Sequence, residues 1–247
     1  MSRAVRFIYL GTVLSLGALA ACNSDIDEPW QLAHDRIIAI RAEPPHIQPG
    51  ETSKIDLLAG FTALPPEAKA PDVAYVVSPM SLSDVLTPNG GEWIVTAPSE
   101  ERIAAARAEL KLSDDSPVPL QIGIAAAWPN KVMSPNDAGF GGTKAVILGS
   151  SAANPTLEGL MINGVEAPPE GTEIVVPKET EVRLYVEAND EEMTVNWLTS
   201  CGVMHDFDLH NAYLTVDPED PQEGQLALVV RDQVGGVTWR VWPVRAE

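Results

Sequence analysis

From residue 36 onward, apolar and polar positions alternate with a period of two, and proline or glycine breaks the alternation at intervals. Such a rhythm places successive side chains on opposite faces of an extended chain and predicts half-buried strands. Residues 36–43 (Arg-Ile-Ile-Ala-Ile-Arg-Ala-Glu) read as a strand stopped by Pro44 and Pro45. The turn Gln48-Pro49-Gly50-Glu51 leads into residues 52–61, where Ile55, Leu57, Ala59 and Phe61 share one face and Lys54 and Asp56 the other. Residues 73–77 and 92–97 are further strands, closed by Pro79 and Pro98.

One segment changes period. Ser99 is a suitable N-cap, Glu100 and Glu101 suit the positive end of a helix dipole, and the alanine-rich run to Leu112 puts Ile103, Ala106 and Leu110 on one stripe. Strand character resumes over 118–128 and 144–148, and residues 129–143, rich in Pro, Asn and Gly, read as a long loop between them. A domain boundary is expected near 149–155 (Gly-Ser-Ser-Ala-Ala-Asn-Pro), which is small, polar and aperiodic.

The second half repeats the style. Strands are expected over 157–162, 173–176, 181–188, 193–197, 210–216, 225–231 and 237–244, the last two joined by the hairpin loop Asp232-Gln233-Val234-Gly235-Gly236. Over 181–188 the alternation is strict, with Val182, Leu184, Val186 and Ala188 inward. Met193, Val195 and Trp197 form the inner face of the next strand. The tetrapeptide Pro49-Gly50-Glu51-Thr52 echoes Pro177-Lys178-Glu179-Thr180, although the inward phase slips by one residue after it. Short strands with turns about every ten residues, and a tryptophan on the third major strand, resemble an immunoglobulin-like sandwich. The expected fold class is all-β: two such sandwiches in tandem, the first with one inserted helix.

The N-terminus follows a different rule. Arg3 and Arg6 precede an uncharged run over 7–21 that is too short to span a bilayer as a helix, the layout of a secretory signal. The junction Leu19-Ala20-Ala21-Cys22 resembles the bacterial lipobox, in which leucine and two small residues precede a cysteine. That resemblance implies cleavage before Cys22, a diacylglyceryl thioether on its sulfur, and N-acylation, with Leu19, Ala20 and Ala21 read by the signal peptidase. Several acyl chains anchor far more firmly than one. Asn23 stands where an aspartate would favour inner-membrane retention, so the rule for lipoprotein sorting points to the outer membrane. The chain then divides into a signal (1–21), a lipidated tether (22–35), a first sandwich (36–149), a linker (150–155) and a second sandwich (156–247). Together these features resemble bacterial surface lipoproteins that carry immunoglobulin-like domains, a class with no shared catalytic motif.

Charge narrows the partners. With 16 Lys+Arg against 35 Asp+Glu the formal charge is −19, which leaves nothing to neutralise a run of phosphates and argues against nucleic acid. Two cysteines cannot build a disulfide scaffold, and with Cys22 lipidated, Cys201 lacks an intramolecular partner. Cys201 then reads as a small buried hydrophobe, with an intermolecular crosslink or a nucleophile as the alternatives.

Ligand-type residues cluster once, at His205-Asp206-Phe207-Asp208-Leu209-His210. In an extended segment Asp206, Asp208 and His210 would share a face, the low-ranked candidates for a metal. The turns Asn189-Asp190-Glu191-Glu192 and Asp217-Pro218-Glu219-Asp220-Pro221 are candidates for calcium, as acidic loops in sandwiches often are. The run Gly139–Lys144 lacks the order of a phosphate-binding loop, and no Gly-x-Ser-x-Gly elbow occurs. Trp239 and Trp242 lie an odd number of residues apart on the last strand, so one points away from its own core. Trp93, Trp128 and Phe140 sit near strand ends or in loops.

The leading expectation is a non-enzymatic, lipid-anchored envelope protein that displays sandwich domains for binding or scaffolding, with no cofactor. Its partners would be the membrane, through lipid, and an unidentified protein or glycan. The alternatives are a calcium- or carbohydrate-binding adhesion module, and an exported thiol enzyme or hydrolase built on Cys201 with His205 or His210.

Overall fold

The structure is a computed structural model and describes residues 28–32, 36–60, 72–89, 92–127, 141–187 and 193–247. The lipobox with Cys22, the loop carrying Trp128 and Phe140, and the turn 189–192 lie outside the described residues.

The first half contains β1 (Arg36–Glu43), β2 (His46–Ile47), β3 (Thr52–Gly60), β4 (Asp72–Ser78), β5 (Leu86–Asn89), β6 (Glu92–Thr96), α1 (Glu100–Glu109), β7 (Val118–Ala127) and β8 (Gly141–Leu148). The second contains β9 (Glu158–Ile162), β10 (Val165–Glu166), β11 (Ile174–Val176), β12 (Val182–Glu187), β13 (Thr194–Thr199), β14 (Val203–His205), β15 (Asn211–Thr215), β16 (Glu223–Arg231) and β17 (Val237–Ala246).

Both halves use one strand order. In the first, β1-β3-β6-β5 faces β2-β8-β7-β4; in the second, β9-β12-β15-β14, extended by β10, faces β11-β17-β16-β13. In immunoglobulin lettering each is an ABED sheet opposed to an A′GFC sheet, and in each the short A′ strand runs parallel to G (β2 with β8, β11 with β17). The protein is therefore two immunoglobulin-like sandwiches in tandem. The echoed tetrapeptides form equivalent turns. Gly50 and Glu179 both have positive φ (83° and 52°), and each donates its backbone N–H to the carbonyl just past strand E, Ala97 and Val216. The second turn is a residue longer ahead of its strand, which is where the slip in inward phase is taken up.

The α1 helix bridges strands E and F of the first sandwich. Ile103 and Ala106 are buried against the core and Leu110 packs beside it, as the stripe predicted. A bidentate pair from Arg102 to Asp84 (2.6 and 3.1 Å) ties its outer face to the turn before β5.

The expected loop over 129–143 ends early: residues 141–143 belong to β8 and pair with Ala125, Ile124 and Gly123. Glycine there serves packing. A Cβ on Gly142 would lie 2.8 Å from Cδ1 of Ile40, because β1 crosses directly over it.

The two halves share a third apolar cluster. Leu32, Ala39, Leu198, Ala227, Val229 and Trp239 are buried together, with Ile38, Leu58 and Val241 at the margin. The A′GFC sheet of the second sandwich is thus covered on both faces. Its inner face sends Trp197, Leu228 and Trp242 into the second core, and its outer face receives β1 of the first sandwich. The Arg41 guanidinium lies 4.2 Å from the centre of the Trp239 ring while pairing with Asp56 at 3.2 Å. Trp239 is the outward tryptophan, and it lands in the seam between domains.

Truncating a buried tryptophan costs about 3–5 kcal/mol. Trp239→Ala is expected to remove about that much from the seam and to split a single calorimetric transition into two, one per sandwich; a single, merely shifted transition would show that the seam does not couple them.

Candidate functional site

The seam is lined by more than apolar side chains. The hairpin turn between β16 and β17 is stiffened from within, since Asp232 accepts backbone N–H bonds from Val234 (3.0 Å) and Gly236 (2.6 Å). The first sandwich then grips it from outside. His46 meets the Val234 carbonyl at 2.8 Å through Nε2 and the Ser150 hydroxyl at 2.9 Å through Nδ1. The Lys144 ammonium donates to the Gly235 carbonyl. In the expected linker, Asn154 donates to the Ala42 carbonyl (2.8 Å) and Glu43 (2.7 Å) and accepts the Val237 N–H (2.8 Å). Arg231 completes the set, donating to Asn196 Oδ1 (2.7 Å) and across the seam to the Ile38 carbonyl (3.0 Å).

Two cations are therefore placed in a cleft of about 290 Å³ between the domains. Lys144 is 6% exposed. Burial pushes its ammonium down to about 8, with Asp232 opposing and Arg231 adding to the shift. Sequence analysis placed Lys144 at the start of the strand 144–148 without a role; the signal available was a lysine at an inward position of an alternating strand.

The other candidates are dispersed. His205 ends β14, and residues 206–210 form the turn into β15, closed by an N–H bond from Leu209 to the Asp206 carbonyl (2.9 Å). Asp206 has φ 54°, so the extended geometry that would align Asp206, Asp208 and His210 is absent. His210 is spent on the Val186 carbonyl (3.3 Å). Among the described residues no three His, Cys, Asp or Glu side chains converge as a metal site. In the acidic turn at 217–221, Asp220 accepts the Asp217 N–H (2.9 Å), and Gln222 caps both carbonyls.

Cys201 is fully buried in the second core. Its N–H donates to the Thr199 hydroxyl (3.0 Å), which itself donates back to the Cys201 carbonyl (2.8 Å). Burial first, then Asp220 and Glu223, raises the thiol to about 11, the opposite of an activated nucleophile. Trp197 and Trp242 are also buried, with indole N–H bonds to the Leu209 (3.2 Å) and Pro168 (2.9 Å) carbonyls. Trp93 packs against the first core.

Residues 28–32 were expected within the lipidated tether (22–35), and they are instead docked. Trp30 is buried in the core of the second sandwich and Leu32 in the seam. The segment lies parallel to β13 through Gln31 opposite Thr199. The Thr199 N–H donates to the Trp30 carbonyl (3.0 Å), and the Leu32 N–H donates to the Thr199 carbonyl (2.9 Å). The Arg36 guanidinium holds the Pro29 and Gln31 carbonyls, each at 3.2 Å. Trp30 and Leu32, two large apolar residues in the expected tether, were the signal for this strap.

No family model and no curated protein matches the chain. Among solved structures it is similar to the Ig1-2 module of the Drosophila receptor protein tyrosine phosphatase DLAR. That likeness has 10% identity, 87% of this chain, 99% of that one and a TM-score of 0.30. It is also similar to the tandem V-type regions of VCBP3, a v-region-containing chitin binding protein (8% identity, 85% and 99%, TM-score 0.38). A third likeness is to the fibronectin(III)-like modules of Clostridium thermocellum CbhA (9% identity, 85% and 94%, TM-score 0.30). The domain class rests on the strand order described above.

The two shifted groups act in opposite directions on stability. For Lys144 the unfolded chain holds the proton more tightly, so stability rises with pH from about 8 toward 10.5; for Cys201 the folded chain does, so stability falls between about 9 and 11. Between pH 8 and 9 the lysine outweighs the cysteine, and the wild type should gain somewhat under about 1 kcal/mol in denaturant titrations. Lys144→Met should flatten that rise, and an unchanged slope in the variant would remove Lys144 as its source.

Proposed function

We propose that this chain is a non-enzymatic binding or scaffolding protein of the bacterial cell envelope, held by lipid on Cys22 and sorted toward the outer membrane. The observation that carries the display role is the sheet covered on both faces. A seam with a buried tryptophan and four interdomain hydrogen-bonding side chains joins the sandwiches and fixes the ends at which their loops emerge. In the first sandwich β3 ends and β4 begins, and β7 ends and β8 begins, at the pole opposite the Gly50 turn. The connections at 61–71 and 128–140 therefore start and finish together there, the place where immunoglobulin-like modules commonly recognise partners. In the second sandwich the corresponding hairpin, 232–236, is occupied by His46 and Lys144. The first sandwich is accordingly the recognition domain and the second its support. The lipidation half of the reading rests on the junction Leu19-Ala20-Ala21-Cys22.

Metabolic palmitate labelling should mark the wild type and vanish in Cys22→Ser, and label that survives the substitution would sink the anchor. For the recognition pole, a photo-crosslinking residue at Trp128 or Phe140 should capture a discrete envelope partner in cells where one at Glu219 does not. Equal capture at all three positions would move recognition elsewhere.

A further inference from the structure

A sheet edge is a row of unpaired backbone groups, and proteins blunt such edges with short strands, prolines, bulges, charges or a cover. The four sheets end in eight edge strands, and seven of these carry such a device. Strands β2, β10, β11 and β14 have two or three residues, and β5 has four with Pro88 among them. Strand β1 is bulged between Ile37 and Ala39 and lies in the seam. Strand β13 is covered: Thr199 exchanges bonds with the strap, and the Trp197 N–H donates to the Phe207 carbonyl (2.7 Å). The eighth edge, β4, is the counterpart of β13 in the first sandwich. Its seven residues pair with β7 in an unbroken register from Asp72 to Ser78, without proline and with a single charge at the first residue. Among the described residues no strand pairs with its other side. Val76 is 69% exposed on this strand, and Met80 just past it 73%.

The ladder determines which backbone groups are left over. Ile147 and Gly149 donate to the Pro45 and Ile47 carbonyls (3.0 and 2.9 Å), so these two face β2 and Leu148 faces β7. Opposite Leu148 is Val118, and by alternation Leu120, Ile122 and Ile124 also spend their bonds on β8. Val77 opposite Ile122 and Tyr75 opposite Ile124 therefore turn N–H and C=O to the open side, as does Val73 opposite Ala126.

We infer that this edge joins two copies of the chain, β4 pairing antiparallel with β4 of a second copy about a two-fold axis at Tyr75. The register follows from the strand itself. With Tyr75 opposite its own counterpart, Val73 meets Val77 and Ala74 meets Val76. The Tyr75 pair and the two Val73–Val77 pairs each exchange both backbone bonds. Asp72 falls opposite Ser78 and not opposite another carboxylate. Moving the axis to Val77 brings Pro79, which has no N–H, opposite Tyr75, and moving it to Val73 leaves only residues 72–74 overlapping.

Charge selects a second copy as the occupant. Each copy is at −19, so two can meet only where carboxylates do not face one another, and β4 in this register is such a place. A two-fold contact of this kind closes on itself, so the chain pairs once and does not grow into a fibre. Nothing in the pairing depends on lipid at Cys22.

The test uses the full-length chain. Two differently tagged forms, one with Ala74→Cys and the other with Val76→Cys, are co-expressed and oxidised, with the parent chain as control for Cys22 and Cys201. The mixed 74–76 crosslink is expected to exceed the 74–74 and 76–76 crosslinks several-fold. Sedimentation should show a dimer whose share rises with protein concentration and with salt, which screens the repulsion between acidic bodies. The double change Ala74→Lys and Val76→Lys sets two pairs of like charges opposite each other while lowering the net charge. It should weaken the dimer about tenfold or more with an unchanged melting curve, since both positions are exposed. A chain that stays monomeric at every concentration and salt overturns the inference, and so does a mixed crosslink no stronger than the like ones. Association that weakens with salt, or that the double change leaves intact, runs through another surface and overturns it too.

Discussion

Burial of one sheet on both faces is the constraint from which the rest of this architecture follows. A sandwich sheet ordinarily presents one face to its partner sheet and the other to water, and its strands alternate accordingly. In β16 five consecutive residues, from Leu226 to Val230, are buried. Their even members fill the second core, and Ala227 and Val229 face the first sandwich. Removing that cover would expose a continuous apolar patch around Trp239, so the second sandwich needs the first as its outer layer. Arg41 can sit over Trp239 because Asp56 holds its charge, and β1 can approach closely because Gly142 leaves room beneath Ile40.

The polar part of the seam serves alignment. A hairpin with a carboxylate at its base can present several carbonyls outward in fixed directions, and here two of them, from Val234 and Gly235, receive donors from the neighbouring domain. Burying a lysine against a carbonyl is costly, as the lowered affinity of its ammonium for the proton shows. Such groups fix a single register more than they add stability, whereas apolar contacts alone tolerate sliding.

Much of the fold could be read in the sequence because it follows from local rules. Period-two alternation located β1, β3, β12, β13, β16 and β17 within a residue or two, and capping logic located α1 around Ile103 and Ala106. The short strands β2, β5, β10 and β14 escaped because two to four residues carry no period, and Pro88 in β5 argued against a strand that the sheet edge tolerates. The candidate site was less legible. The runs Ile37 to Ile40 and Leu226 to Val230 break alternation in the way that two-sided burial requires, yet nothing in one chain says which surface supplies the second cover. The Asp206 to His210 segment misled for the reverse reason: its alternation was real, but Asp206 takes a left-handed conformation and turns the chain.

Trp30 has a consequence for the order of assembly. It lies near the start of the chain, and the groove that receives it is completed by strands near the finish, among them β16 and β17. A polypeptide synthesised amino end first cannot seat this residue until nearly everything behind it has been made. Its earliest segment to be made is thus its last to settle, and the interval between the two events leaves a bare indole and an uncovered sheet for a chaperone to shield.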